Sequence, residues 1–294
     1  MEKICLLCSG HLGLMGLQTL LEQKANIVYL MTNASSEKII ALAKIHHIPI
    51  YIGNPRHEKA SLFIQKIQCT YLLSINYLFI IEQPLIKKAS EYALNIHGSL
   101  LPKYRGRTPH VWAIINGEKE TGVSIHKIET EVDTGDITLQ KSIPISEQDT
   151  GHSILEKFSA LYRSSLIELL PKLSSKSLSF KPQQHQLATY FSKRTPEDGC
   201  INWNWQAFRI INWVRAQCPP YPGAFTHLDE QKIIITKARL SPLGFNDQIP
   251  NGSIMEVNQH TIFIKTPNSV LNCTTSTPNL KAIKPGKVFN SENN

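Results

Sequence analysis

The chain has 294 residues, 41% hydrophobic and 18% charged, a balance that excludes disordered and fibrous classes and predicts a folded globular protein of two domains. Its net charge of +8 is unevenly placed, with 19 Lys and Arg against 16 Asp and Glu in residues 1–180 and 12 against 7 in residues 181–294, so an anionic partner such as a nucleotide phosphate or RNA has to be weighed. No stretch approaches the ~20 apolar residues of a membrane span, and Glu2, Gly10, His11 and Gly13 interrupt the apolar start before it reads as a secretion signal, which predicts a cytoplasmic protein with no membrane partner.

In chain order, KICLLCS predicts a strand and LMGLQTLLEQ a helix. NIVYLMT with SSEKIIALAKIHH, IPIYIG with HEKASLFIQKIQ, and TYLLSIN with QPLIKKAS repeat the pair, and ALNIHG closes the series. Strands alternating with helices of about 10–13 residues predict right-handed βαβ units and a doubly wound, mostly parallel α/β sheet of Rossmann-like type. TGVSIHKI and DITLQKSIPI add strands on either side of VDTGD. Behind Thr150, residues Ile154, Leu155, Phe158, Leu161, Tyr162, Leu166 and Leu169 recur at helical spacing, which predicts a long amphipathic helix with a threonine cap. The polar run LSSKSLSFKPQQHQ reads as a linker. After a helical WQAFRIINWVRAQ come GAFTHL, KIIITKARL, SIMEVN, TIFIKTP and VLNCTTS, short strands that predict a small OB-like β-barrel. The expected boundaries are a catalytic domain over 1–180, a linker over 181–203 and a β domain over 204–290.

Six dispersed cysteines in apolar contexts read as reduced core residues. Cys5 and Cys8 form a CxxC, but an i, i+3 pair on a strand points to opposite faces and no second pair follows, so no metal is expected. Gly10, Gly13 and Gly16 follow the first strand as GxxGxxG, which is not the dinucleotide fingerprint, and MTNASS ends the second strand without an acidic residue for a ribose. Asn95, His97 and Asp133 form the stronger set. Two positions apart on an extended segment, Asn95 and His97 share one face, at a strand end where such sheets bind ligands. Asp133 lies in VDTGD, where Gly135 permits a tight turn. An imidazole that moves a proton near neutrality, an amide N–H for an oxyanion and a carboxylate beside the imidazole are parts for acyl transfer by direct attack.

NIHGSLLPKYRGRTP, with INGEKETGVSIHKIETEVDTGDI downstream, closely resembles the 10-formyltetrahydrofolate-dependent formyltransferases, a group that includes methionyl-tRNA formyltransferase and the enzymes that N-formylate nucleotide-linked amino sugars. SKRTPEDGCINWNW and CPPYPGAF extend the resemblance into the C-terminal part. It implies 10-formyltetrahydrofolate as co-substrate and Asn95, His97 and Asp133 as the catalytic trio. It implies pterin contacts from the backbone of Phe79, Ile80 and Ile81, with Glu129, Thr130 and Val132 on the other side. Lys103, Tyr104, Arg105 and Gly106, together with Tyr77, are implied at the substrate entrance, although loop anchoring is the plainer role for Arg105 and Arg107.

Transfer-RNA enzymes of the group carry an extended basic loop after the second strand, whereas TNASSEKIIALAKIHH is compact, with Lys38 and Lys44 its only Lys or Arg. SINYLFII and HGSLLPKYRGRTP resemble the sugar enzymes more, particularly the formyltransferase half of the enzyme acting on UDP-4-amino-4-deoxy-L-arabinose. The implied partner is therefore a nucleotide-linked amino sugar of surface-polysaccharide (lipopolysaccharide) biosynthesis, with tRNA as the alternative and a homodimer, frequent among such sugar enzymes, as the assembly the resemblance allows. A non-catalytic folate-binding protein is a remote alternative.

Overall fold

The computed structural model describes residues 2–259, 261–277 and 283–290; positions 260 and 278–282 of the expected β domain lie outside the described residues. Spatial contacts divide the chain into two interleaved units. The first comprises residues 1–109, 121–143 and 156–191, and the second 110–120, 144–155 and 192–294.

In the first unit β1 (Lys3–Cys8), α1 (Gly10–Glu22), β2 (Asn26–Thr32), α2 (Glu37–Ile45), β3 (Ile50–Ile52), α3 (Glu58–Lys66), β4 (Cys69–Ile75), α4 (Gln83–Ile86) and β5 (Ala89–His97) alternate strand and helix. Next come the two-residue β6 (Arg105–Gly106), α5 (Pro109–Ile115), which opens the second unit's first segment, then β7 (Glu120–Lys127) and β8 (Ile137–Pro144). The sheet order is β3-β2-β1-β4-β5-β7-β8. Neighbours from β3 to β5 are parallel, and β7 runs antiparallel to β5. The strands that read as continuous apolar runs, β1 and β4, are central, as expected where both faces are covered. Cys5, Cys8 and Cys69 are buried on them as free thiols.

α6 (Gly151–Ser174) begins with the expected cap: Ser153 N–H donates to Thr150 Oγ1 at 3.1 Å and Thr150 N–H to Ser153 Oγ at 2.9 Å. Within the first unit its residues Phe158, Tyr162, Leu166, Leu169 and Leu173 are buried, and the Tyr162 hydroxyl donates to Ile96 O at 3.3 Å. After α6 the chain does not leave the first unit at once. Lys181 pairs with Ile137, and the two-residue β9 (Tyr190–Phe191) pairs parallel with β6.

The second unit holds α7 (Ala207–Ala216), β10 (Ala224–Leu228), β11 (Gln231–Leu240), β12 (Ile254–Asn258), β13 (Thr261–Thr266) and β14 (Ser269–Thr275). Its antiparallel sheet runs β10-β11-β14-β13-β12, so β12 to β14 form a meander and β11 lies beside β14, a Greek-key order. Bridges from Asn290 to His227 and from Val288 to Ser253 connect the two edge strands' ends, giving a small partly closed barrel. Its core includes Trp203, stacked on Phe289 at 5.8 Å, with Trp203 Nε1 donating to Thr226 Oγ1 at 2.9 Å. No helix among the described residues is long and apolar enough to cross a membrane.

Candidate active site

β5 delivers the first two groups. Asn95 lies opposite His126 and His97 opposite Ser124 in the antiparallel pairing of β5 with β7, and side chains of directly opposed residues share a face. His126, which the sequence reading did not single out, therefore stands beside Asn95, with Asn95 Nδ2 3.2 Å from His126 Nε2. Asp133 follows β7 in a turn and inserts between the two imidazoles. Its Oδ2 is 3.5 Å from His97 Nδ1 and its Oδ1 is 3.4 Å from His126 Nε2. Gly106 N–H donates to Oδ2 at 2.9 Å, and Asn95 Nδ2 lies 3.5 Å from Oδ1.

The partners assign the proton positions. His97 Nε2 is 2.8 Å from Tyr104 O and His126 Nδ1 is 2.7 Å from Lys127 O; a carbonyl only accepts, so both nitrogens carry hydrogen. The remaining nitrogens, His97 Nδ1 and His126 Nε2, both face Asp133. The side chains of His97, His126 and Asp133 are 7%, 2% and 11% exposed, so these charges interact with little screening. Burial pushes the Asp133 carboxyl toward neutrality, but His97, His126 and the Gly106 amide override it and hold the group well below the usual carboxylate range. Such an ionised carboxylate between two imidazoles can stabilise a proton arriving on His97 Nδ1 and release it again.

The loop from Gly98 to Arg107 is held from several sides. Ser124 Oγ donates to Ser99 O at 2.7 Å and accepts from Leu101 N–H at 3.1 Å. Tyr104 (φ +60°) stacks on Phe191 at 5.1 Å. Arg105, 1% exposed, directs its guanidinium into the protein onto Gln183, His185 and Tyr190. Lys103 is exposed. Tyr77 packs, with Ile81, against the core around Cys5, Leu7 and Met31, and its ring meets Phe79 edge-on at 5.4 Å. Ile80 and Val132 are exposed apolar side chains, 52% and 53% accessible. Gln83 Nε2 donates to Thr130 Oγ1 at 3.0 Å and Arg107 Nη2 to Leu78 O at 2.8 Å. The Gln83–Thr130 and Arg107–Leu78 bonds tie the segments around residues 79–81, 103–107 and 129–133 to one another, and the Gly106 amide ties the second of them to Asp133.

Comparison with known proteins places the chain in a family. The chain is 34% identical over 272 residues to the bifunctional polymyxin resistance protein ArnA of Wigglesworthia glossinidia brevipalpis; the match covers 90% of this chain and 41% of that relative's length. The structure of WlaRD, a sugar 3N-formyl transferase solved in the presence of dTDP and 5-N-formyl-THF, superposes with a TM-score of 0.72 at 21% identity, covering 94% of this chain and 98% of that one. A methionyl-tRNA formyltransferase from Clostridium thermocellum superposes with a TM-score of 0.58 at 20% identity, covering 82% and 94%. The profile of the formyl transferase family matches residues 17–170 and that of its C-terminal domain residues 193–293, and with more than half of its length matched the chain belongs to the formyl transferase family.

Proposed function

We propose that this protein transfers the formyl group of 10-formyltetrahydrofolate to the amine of a nucleotide-linked amino sugar. The observation that carries the reading is the ionised, buried Asp133 held against His97 at the end of β5, with Asn95 alongside. The substrate amine attacks the formyl carbon, and the Asn95 amide stabilises the tetrahedral oxyanion. The ammonium proton passes by way of His97, supported by Asp133, to the folate nitrogen as the carbon–nitrogen bond to folate breaks. The apolar Ile80 and Val132 and the backbone around Phe79, Ile80 and Ile81, with Glu129 and Thr130 opposite, suit a flat heteroaromatic ring with polar edges. On the entrance loop the exposed Lys103 is the residue offered to the acceptor, while Gly106 donates its N–H to Asp133. The inward commitment of Arg105 and Tyr77 supports an anchoring role for both.

A sugar acceptor is supported by the ArnA and WlaRD likenesses and by the short connection from β2 to α2. Its four residues are folded on themselves by a 2.6 Å hydrogen bond from Ser36 Oγ to Asn33 Oδ1, with no basic side chain among them to meet RNA phosphates. The test is formyl release from 10-formyltetrahydrofolate with a panel of nucleotide-linked 3-amino and 4-amino sugars and with methionyl-tRNA. Turnover of a sugar is expected; turnover of methionyl-tRNA alone would replace this reading with the RNA one.

A further inference from the structure

Asp133 is held in place by more than its own turn. Its backbone has φ +56°, a region that side-chain-bearing residues rarely adopt. A Cβ on Gly135, two residues on, would stand 2.1 Å from Lys127 O. Two carbonyls of this turn are taken up by one side chain from beyond α6. Gln183 Nε2 donates to Asp133 O at 2.9 Å and to Gly135 O at 2.7 Å. Gln183 Oε1 in turn accepts from Arg105 Nη2 at 2.7 Å and Nε at 3.3 Å. The residue after Arg105 is Gly106, whose N–H reaches the Asp133 carboxylate. The ring of contacts is closed: turn carbonyl, Gln183, Arg105, Gly106 and the carboxylate that the turn presents.

This amide has no freedom left. Both Nε2 hydrogens and both Oε1 lone pairs are used, and a flipped amide would put its donors against a guanidinium that only donates. Gln183 and Arg105 are 6% and 1% exposed, so a lost partner would not be replaced by bulk water. His185 Nδ1 at 3.1 Å and the Tyr190 hydroxyl hold the outer side of the guanidinium, and Arg105 N–H donates to Thr189 O at 2.9 Å. Residues 183–191 therefore run as a strap behind the site.

We propose that Gln183 is a positioning residue for catalysis, which by bridging the Asp133 turn to Arg105 holds the Asp133 carboxylate between His97 and His126 and against the Gly106 amide. The proposal rests on the formyl-transfer reading for its kinetic part and on geometry alone for the rest. Gln183→Glu keeps the size and the acceptors for Arg105 but sets a carboxylate oxygen against the two turn carbonyls; Gln183→Met keeps the length and removes both sets of bonds. With folding checked by circular dichroism, each variant should lose about 10- to 100-fold in kcat, the scale of a misplaced catalytic group, with a much smaller change in KM for the folate.

A readout independent of activity comes from the Gly106 amide. Arg105–Gly106 is the single Arg-Gly pair in the sequence, so carbonyl-13C arginine with 15N glycine isolates one resonance. Its proton signal should move upfield in both variants as the bond to Asp133 weakens. A folded variant in which that resonance stays at the wild-type position overturns the proposal whatever its rate, as does wild-type kcat or failure of both variants to fold. If the resonance moves but the wild-type protein formylates nothing on the acceptor panel, the brace stands and the formyl-transfer reading fails.

Discussion

The Asp133 carboxyl shows how one residue's ionisation depends on partners far away in sequence. Because its folded pKa lies below the ordinary value near about 3.9, it contributes stability that is present at neutral pH and is lost as pH falls toward its own folded pKa. In urea titrations, the stability advantage of the wild type over Asp133→Asn should hold above about pH 5 and shrink below about pH 4; an advantage independent of pH would mean that Asp133 is not held as an anion. In formyl transfer, Asp133→Asn and His97→Asn should each lower kcat by roughly 10²–10⁴-fold, and near-wild-type rates with a verified acceptor would refute the mechanism. Asn95, His97 and Asp133 were legible because strand alternation puts the first two on one face and the glycine-containing turn marks the third. His126 was not, since its role arises from standing opposite Asn95 across β5 and β7. The one available signal was its place in an alternating strand beside VDTGD.

At the scale of elements, the short pieces that periodicity passed over carry much of the positioning. β6 and β9 have two residues each, too few for any period to register, yet they pin the loop whose Gly106 amide holds Asp133. Gly106 has φ +100°, and a Cβ there would stand 2.3 Å from Phe191 O. Gly106→Ala should therefore part β6 from β9, lower the melting temperature and depress kcat together; unchanged kcat would show that this pairing does not serve the site. α5, seven residues long and opening on Pro109, is likewise too short for a helical period to register. It buries His110 with Nε2 2.6 Å from the Tyr221 hydroxyl, and burial pushes this imidazole down to about 4. The unfolded chain binds this proton near about 6.5 and the folded one resists it, so stability falls as pH drops between those values, by about 3 kcal/mol in all. All four tryptophans, Trp112, Trp203, Trp205 and Trp213, lie in the second unit, so their fluorescence during urea unfolding reads that unit alone. His110→Phe should flatten the fall between pH 6.5 and 4, and an unaltered slope would assign it to another group.

For the whole molecule, the +8 charge has two readings that salt separates. A protein gripping RNA through six or more phosphates loses about 10³-fold or more in affinity between 50 and 200 mM salt, whereas a nucleotide-linked sugar presents few charges. With the sugar acceptor, kcat/KM should change less than about tenfold over that range; a steep fall would return RNA to consideration. The sequence alone determined the alternation of β1 to β5 with their helices and the strands of the second unit, because side-chain periodicity and turn chemistry act over a few neighbouring residues, and it marked Asn95, His97 and Asp133 through the resemblance of their motifs to the formyltransferases. Only tertiary structure decided that Arg105 faces inward, that residues 183–191 build the site instead of merely linking away from it, and that His126 and Gln183 complete it. Those choices rest on hydrogen bonds between residues 27 to 85 positions apart, and such pairings exist only once the sheet register and the loop paths are set.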